Sequence, residues 1–173
     1  MSRPSLRFPL GAVAILGAIA MAIILPTAFG APSSPPVPVR KALAQTEHVQ
    51  GAPGRTMVLS KVTVPVGAKL ATHHHLGTQI SNVASGTLTY TVRRGKAELF
   101  EGESSEPRLV RVISAGKTAR IRAGQWLVEQ PSDIHEAANR GSAPVVIYLA
   151  TLLQDGAPPA TPVNLEAGSR PER

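Results

Sequence analysis

The chain has 173 residues and a formal net charge of +7, with 16 prolines, 15 glycines, few aromatic residues and no cysteine. This length allows one domain with a sizeable core. The lack of cysteine excludes disulfides, cysteine-ligated zinc, a thiol nucleophile and lipid attachment through a lipobox cysteine. The basic residues are spread thinly and form no run with interleaved aromatic residues, so the sequence does not favour nucleic acid as a partner.

The first 30 residues are predicted to be an export signal. Two arginines precede an uninterrupted apolar run, Leu10–Leu25, and small residues follow it. Ala28 and Gly30 fit the −3 and −1 positions of a cleavage site. An uncleaved anchor is the alternative, although a run of 16 residues is short for a membrane span of about 20. In either case the remaining chain is expected to be exported, periplasmic, in the cell envelope or extracellular, and to meet the membrane only through this segment.

A β-rich pattern occupies residues 55–153. Its clearest stretch is TLTYTV, which places Leu88, Tyr90 and Val92 on one face of a strand and threonines on the other. Similar short stretches follow, separated by glycines, and no long amphipathic helix competes with them. This rhythm predicts an all-β sandwich or barrel.

Proline-rich segments flank the predicted β domain. Residues 31–54 open with APSSPPVPV and are predicted to be a Pro/Ser-rich linker between the signal segment and the β domain. Residues 154–173 are again rich in proline and are predicted to form a C-terminal tail, either an arm or disordered.

Three of the five histidines are consecutive, in the stretch ATHHHLGTQ. In a strand, residues two apart point to the same face, so His73 and His75 are predicted to project together. The same alternation turns His74 to the opposite face, where it is expected to be solvated, although a one-residue shift in register would exchange the three.

Two further residues complete a candidate metal site. Gln79 follows Gly77, which allows the chain to change direction and return to the same face in the next strand. His135, about sixty residues later, could meet the first two histidines across a barrel. The set His73, His75, Gln79 and His135 offers three imidazoles and one oxygen donor, a suitable set of ligands for a divalent transition metal.

The spacing of these residues resembles that of the cupin family. Its first motif, G-x5-H-x-H-x3-E-x6-G, is matched by Gly67, His73, His75, Gln79 and Gly86, with glutamine in the place of glutamate. The resemblance covers most of the mature chain.

The second cupin motif, G-x5-P-x-G-x2-H-x3-N, resembles the stretch GQWLVEQPSDIHEAAN. Gly124, His135 and Asn139 keep the spacing, whereas Gln130 and Ser132 stand where the family often has proline and glycine. The two motifs together imply a small antiparallel jelly-roll β-barrel that holds one metal ion inside, with His73, His75 and His135 as ligands.

Glutamine in the glutamate position removes one negative charge from the predicted site. Gln79 is expected either to coordinate the metal through its side-chain oxygen or to hydrogen-bond a water on the metal. The predicted metal is one divalent transition ion, Fe, Cu, Zn, Ni or Mn, and Mn is disfavoured relative to the ions that prefer imidazole. In cupin dioxygenases the glutamate often helps to deprotonate the substrate, and a neutral amide cannot act as that base.

Other polar residues near the motifs receive structural interpretations. Asn139 is expected to fix a loop by hydrogen bonds, and Tyr90 to lie in the core or in a cavity wall. Glu129 and Glu136 are expected on a solvated face, with Glu136 pointing away from His135 by strand alternation.

Three functions are compatible with the resemblance. The first is an exported metal-binding cupin that acts as a metal-dependent dioxygenase or other oxidoreductase on a small organic molecule. The second is a non-catalytic module that binds a small molecule or a metal. The third, which the lack of a further catalytic histidine weakens, is an isomerase or epimerase. Because cupin barrels often pair through edge strands, the resemblance also implies a homodimer, and fold alone does not decide among these functions.

Overall fold

A computed structural model describes residues 34–164, and these contain twelve β-strands and no helix. No helix in this part of the chain is long and apolar enough to cross a membrane. The predicted export signal lies outside the described residues. The strands are β1 (Val39–Thr46), β2 (Arg55–Val64), β3 (Lys69–His74), β4 (Gly77–Ser85), β5 (Thr87–Arg94), β6 (Lys96–Glu101), β7 (Arg108–Ser114), β8 (Thr118–Arg122), β9 (Gln125–Glu129), β10 (Ile134–Ala138), β11 (Val145–Gln154) and β12 (Thr161–Pro162).

The strands form two antiparallel sheets that face each other. One has the order β1-β2-β11-β4-β9-β6-β7 and the other the order β12-β3-β10-β5-β8. Neighbours along the chain repeatedly fall in different sheets, so the chain winds back and forth between the two layers. The predicted all-β fold of the antiparallel jelly-roll type is confirmed.

Strand alternation places the core between the two sheets. In β5, Leu88, Tyr90 and Val92 are buried, as the pattern TLTYTV predicts. From the opposite sheet, Val62 of β2 and Leu149 of β11 belong to the same core cluster. Full burial of a side chain of this kind contributes roughly 1.5–3 kcal/mol, and the inner faces of both sheets are built from such residues.

Two strands lie outside the segment 55–153 to which the sequence assigned the barrel. β1 falls within the predicted linker and pairs with β2 from Val39 opposite Thr63 to Thr46 opposite Met57. β12 falls within the predicted tail and pairs with the end of β3. Both are edge strands whose side chains are mostly exposed, so they lack the apolar alternation by which buried strands are recognised in a sequence.

Gly77 at the start of β4 allows two backbones to approach closely. It lies opposite Leu153 of β11, and a Cβ atom at this position would overlap the carbonyl group of Leu152. The glycine therefore serves close strand packing rather than only a change of direction, and it sets the position of β4 on which Gln79 lies.

Candidate metal centre

The three histidines of the two motifs converge between the sheets. One ring nitrogen from each of His73, His75 and His135 lies within 4.8 Å of the nitrogens offered by the other two. His73 and His135 are paired directly across β3 and β10, and their ring centroids are 4.4 Å apart. His74 is not part of this group, and its Nδ1 lies 3.4 Å from the carbonyl oxygen of Pro131.

Hydrogen bonds to the backbone orient two of the three rings. The Nδ1 of His73 lies 2.6 Å from the carbonyl oxygen of Ala71, and the Nδ1 of His75 lies 2.8 Å from that of Pro159. Since a carbonyl can only accept, both Nδ1 atoms carry the proton and both Nε2 atoms keep a lone pair. Such backbone contacts are the usual means by which metal-binding histidines are held in one tautomer.

His135 has a nitrogen that no protein group satisfies. Its Nδ1 is buried and has no hydrogen-bond partner among the described residues, while its Nε2 lies 3.4 Å from Oε1 of Glu129. A buried polar atom without a partner is unusual in a native structure and calls for an ion, a water or a functional role. The donor set and this free nitrogen fit a transition metal.

All three imidazoles are held in the neutral form. Burial lowers the pKa of His73, of His75 and of His135 below the usual value near 6.5, and the nearby carboxylate of Glu129 does not reverse this. Neutral imidazole is the form that binds metals, so the cluster needs little or no deprotonation near neutral pH.

Glu129 places a carboxylate beside two of the three histidines, His75 and His135. It is 2% exposed, its Oε2 lies 3.7 Å from Nε2 of His75, and its Oε1 accepts a hydrogen bond from the hydroxyl of Tyr90 at 2.8 Å. The interpretation of Glu129 as a solvated surface residue is wrong. The signal for its burial was its spacing of two from Leu127 in β9, because both side chains then point into the barrel.

The environment of Glu129 favours its ionised form. Burial raises the pKa of this carboxyl group, but His135 and His75, together with hydrogen bonds from Tyr90 and Gln79, outweigh burial and hold the pKa below its usual value. Burial and the charge of Glu129 raise the pKa of Tyr90 well above its ordinary value, so the phenol remains a hydrogen-bond donor.

Gln79 lies directly opposite Glu129 in the pairing of β4 with β9. Its amide nitrogen donates to Oε2 of Glu129 at 2.6 Å and lies 3.1 Å from Nε2 of His75. Its amide oxygen accepts a hydrogen bond from the hydroxyl of Thr151 at 3.0 Å. The reverse orientation would place the amide oxygen against the carboxylate, so the network assigns the nitrogen to this side. Coordination by Gln79 through oxygen therefore requires its amide to turn over.

A cavity of about 40 Å³ adjoins the cluster. This volume holds about three water molecules. A ligand in the cavity is therefore limited to a few heavy atoms. Its polar lining includes His73, His135, Gln79 and Glu129, and its walls are otherwise mainly apolar. The lining also includes Arg40 of β1, which the sequence did not single out because it lies in the predicted linker.

The remaining polar residues of the second motif have structural roles. Asn139 donates to the carbonyl oxygens of Val64 and Ala143, and its side-chain oxygen accepts from the backbone N–H of Gly141. Its expected role in fixing a loop is confirmed. Glu136 points away from the cluster, as alternation predicts, and pairs with Arg93 at 2.6 Å.

The fold is similar to that of solved cupin structures. A cupin 2 domain-containing protein from Halorhodospira halophila is 12% identical, with 74% of this chain and 71% of that chain covered and a TM-score of 0.49. A cupin-like protein from Thermotoga maritima is 19% identical, with 73% and 76% covered and a TM-score of 0.48. No protein-family model matches the sequence, and no curated protein is similar to it.

The two motifs meet inside the two-sheet barrel as the resemblance requires. The chain has a cupin fold. The L-ribose isomerase of Acinetobacter sp. DL28 in complex with L-ribose is another solved structure of similar fold. It is 15% identical, with 67% of this chain and 59% of that chain covered and a TM-score of 0.49. At these identities the likeness concerns the cupin fold alone, and the function of this chain must be argued from its site.

Proposed function

We propose that this cupin binds one divalent transition metal through His73, His75 and His135. The observation that carries the proposal is the buried carboxylate of Glu129. None of the ion pairs within residues 34–164 joins it to a lysine or arginine. Its ionisable partners within 4 Å are His75 and His135, and burial disfavours the protonated form of both. Because an ionised carboxylate out of water costs several kcal/mol unless it is compensated, a metal cation beside it accounts for its burial.

Glu129 restores the charge that glutamine removed from position 79. Three neutral imidazoles and one carboxylate leave a divalent ion with a net charge of +1 rather than +2. The imidazoles favour Fe, Cu, Zn or Ni, and the carboxylate makes Mn less unfavourable than the neutral set would. In this proposal Glu129 is the anionic partner of the metal, and Gln79 either orients Glu129 through its amide nitrogen or becomes a ligand after its amide turns over.

The proposed reaction is the metal-dependent oxidation, of the dioxygenase type, of a small organic molecule. The metal, when bound, supplies Lewis acidity and, for a redox-active ion, a centre for reaction with dioxygen. Glu129 provides the base that Gln79 cannot: its Oε1 faces His135 and the hydroxyl of Tyr90, so a proton taken from a ligand would be held between these groups. The low pKa of Glu129 makes it a weak base, which suits a substrate that is itself acidic.

The small cavity also supports a second candidate, a module that binds a small ligand or a metal without catalysis. Its volume of about 40 Å³ leaves room for only a few atoms beside a metal ion. The two candidates differ in turnover, and the second does not require a metal.

Metal analysis and dioxygen uptake separate these proposals. Protein isolated without added metal is expected to contain close to one equivalent of a transition ion by mass spectrometry. Consumption of dioxygen with a panel of small acids, phenols, thiols and diketones would support the oxidase or dioxygenase function. Full metal content without turnover across the panel would favour the binding module. A protein that takes up none of Fe, Cu, Zn, Ni or Mn would refute the metal-dependent reaction and the metal-binding module, and would leave only a module that binds a small ligand.

We also propose that the protein is exported and forms a homodimer. Export rests on residues 1–30, and the homodimer is supported by apolar side chains exposed on the outer face of the larger sheet, Met57, Leu59, Ile80 and Tyr148. Cell fractionation with the intact mass of the mature chain tests export. Light scattering after size-exclusion chromatography tests the dimer, and Leu59→Lys is expected to yield a monomer.

A further inference from the structure

Arg40 places a positive charge inside the barrel. In the pairing of β1 with β2 it stands directly opposite Val62, which is buried in the core. Residues directly opposite each other in an antiparallel pair point to the same face, so the side chain of Arg40 points inward. It lines the cavity beside the metal centre, whereas its neighbour Lys41 is exposed.

The guanidinium of Arg40 is desolvated but not paired. None of the ion pairs among residues 34–164 includes it. Burial lowers the pKa of Arg40 and the charge of Glu129 raises it, yet an arginine remains protonated in proteins. A half-buried cation that faces a cavity without a carboxylate in contact can bind an anion there.

The walls of the cavity indicate what kind of anion would fit. The same cavity is lined by aliphatic side chains, which include Val62, Leu70 and Ile147. Such walls favour a ligand that carries hydrocarbon as well as charge, and the small volume restricts it to a few heavy atoms. The planar, forked donors of a guanidinium match a carboxylate, which they can bind through two parallel hydrogen bonds.

We propose that Arg40 binds the carboxylate group of a small organic acid in the cavity beside the three histidines. This inference rests on the proposed function, because the acid is the small molecule on which the metal centre would act or which it would hold. The charges agree: Glu129 reduces the charge of a divalent metal from +2 to +1, and the unpaired Arg40 brings the total in the cavity back to +2, which an anion would balance. Arg40 thus makes the N-terminal strand, outside both motifs, part of the binding site.

Calorimetry with metal-loaded protein tests the role of Arg40. The probes are acetate and glycolate, with acetamide as an uncharged molecule of nearly the same shape as acetate. The variants are Arg40→Gln and, as the control, Lys41→Gln, which removes the same charge from the next, exposed position. We expect the wild type and Lys41→Gln to bind acetate and glycolate with the same affinity. Arg40→Gln should bind both acids at least about tenfold more weakly. Acetamide should bind to all three proteins more weakly than the acids bind to the wild type.

Metal content and melting temperature, measured on the same samples, keep the outcomes apart. If wild type and Arg40→Gln hold the same metal and bind glycolate equally, or if no acid binds to the wild type, the inference is overturned while the metal site stands. If Arg40 only balances Glu129, Arg40→Gln lowers the melting temperature and leaves glycolate affinity unchanged, which also overturns it. Glycolate binding that depends on Arg40 in a protein unable to hold any metal would refute the proposed function and retain the anion site.

Discussion

The amide nitrogen of Gln79 lies 2.6 Å from Oε2 of Glu129, and the two residues face each other across β4 and β9. A carboxylate and a carboxamide therefore occupy neighbouring strands, with the charge on β9 rather than at the motif position on β4. The site keeps a negative charge although its first motif has lost one.

The three converging histidines are expected to be essential for metal binding, whereas His74 is expected to be dispensable for it. Replacing His73, His75 or His135 by alanine should lower metal affinity at least a hundredfold, since each removes one of three imidazole donors. His74→Ala is the matched control, because its ring is turned towards Pro131. Titration with Zn²⁺ or Ni²⁺ in the presence of a chelator that competes with the protein measures the metal affinities. Full metal content in His73→Ala and His135→Ala would refute the site.

Glu129→Gln is expected to weaken metal binding about 10- to 100-fold. Within residues 34–164 it removes the one carboxylate that lies within 4 Å of the histidine cluster, and it keeps the side-chain size. Glu136→Gln is the control, since Glu136 is on β10 beside His135 but points outward to Arg93. The same chelator competition measures both variants. Equal affinity in the two variants would show that Glu129 does not compensate the metal charge.

Moving the carboxylate back to the motif position tests the relationship of Gln79 to Glu129. Gln79→Glu alone places two carboxylates in contact and should lower the free energy of unfolding of the metal-free protein by roughly 1–3 kcal/mol. The double variant with Glu129→Gln as well should recover most of this stability and of the metal affinity. Urea denaturation with and without metal measures both. A single variant Gln79→Glu that changes neither stability nor affinity would place the pair outside the functional site.

The metal-free protein is expected to lose stability as the pH falls below about 6.5. The pKa values of His73, His75 and His135 are lowered in the fold, so the unfolded chain binds more protons in this range and acid favours unfolding. The pKa of Glu129 lies below its usual value near 4.5. Its protonation therefore adds little to the change in the free energy of unfolding between pH 5.5 and 7.5. Urea denaturation at those two pH values with a chelator present measures the effect, and equal stability at both would contradict it.

Gly77→Ala should destabilise the fold by about 3 kcal/mol, since the new methyl group would overlap the backbone of Leu152. Gly141→Ala is a suitable comparison, because the Cβ there meets only the side-chain oxygen of Asn139, at 3.3 Å. Thermal unfolding of the two variants measures the difference. Similar melting temperatures would show that β4 and β11 can separate at this point without cost.

The parts of this fold that were predictable are those governed by period-two alternation. Leu88, Tyr90 and Val92 are buried, and His73 and His75 point inward, because a strand leaves each side chain one of two faces. The meeting with His135 depended on the resemblance to the cupin motifs, since alternation says nothing about residues sixty positions apart.

Glu129 and Arg40 were missed for a shared physical reason. Charged side chains are rarely buried unless paired, so residue type assigns them to the surface. For Glu129 this outweighed the alternation with Leu127, and the strand partners show the inward position of both residues. Glu129 points inward because it pairs with the buried Gln79 across β4 and β9. Arg40 points inward because it pairs with the buried Val62 across β1 and β2. These registers are long-range properties of the assembled sheets.

The carbonyl oxygen of Pro159 orients the ring of His75, which makes the residues beyond β11 a structural part of the metal centre. A protease that cuts after Gln154 would remove none of the three histidines and none of the core residues identified within residues 34–164, yet it would free the ring of His75 to rotate. Removal of the residues beyond Gln154 is therefore expected to weaken metal binding at the proposed site while the fold persists.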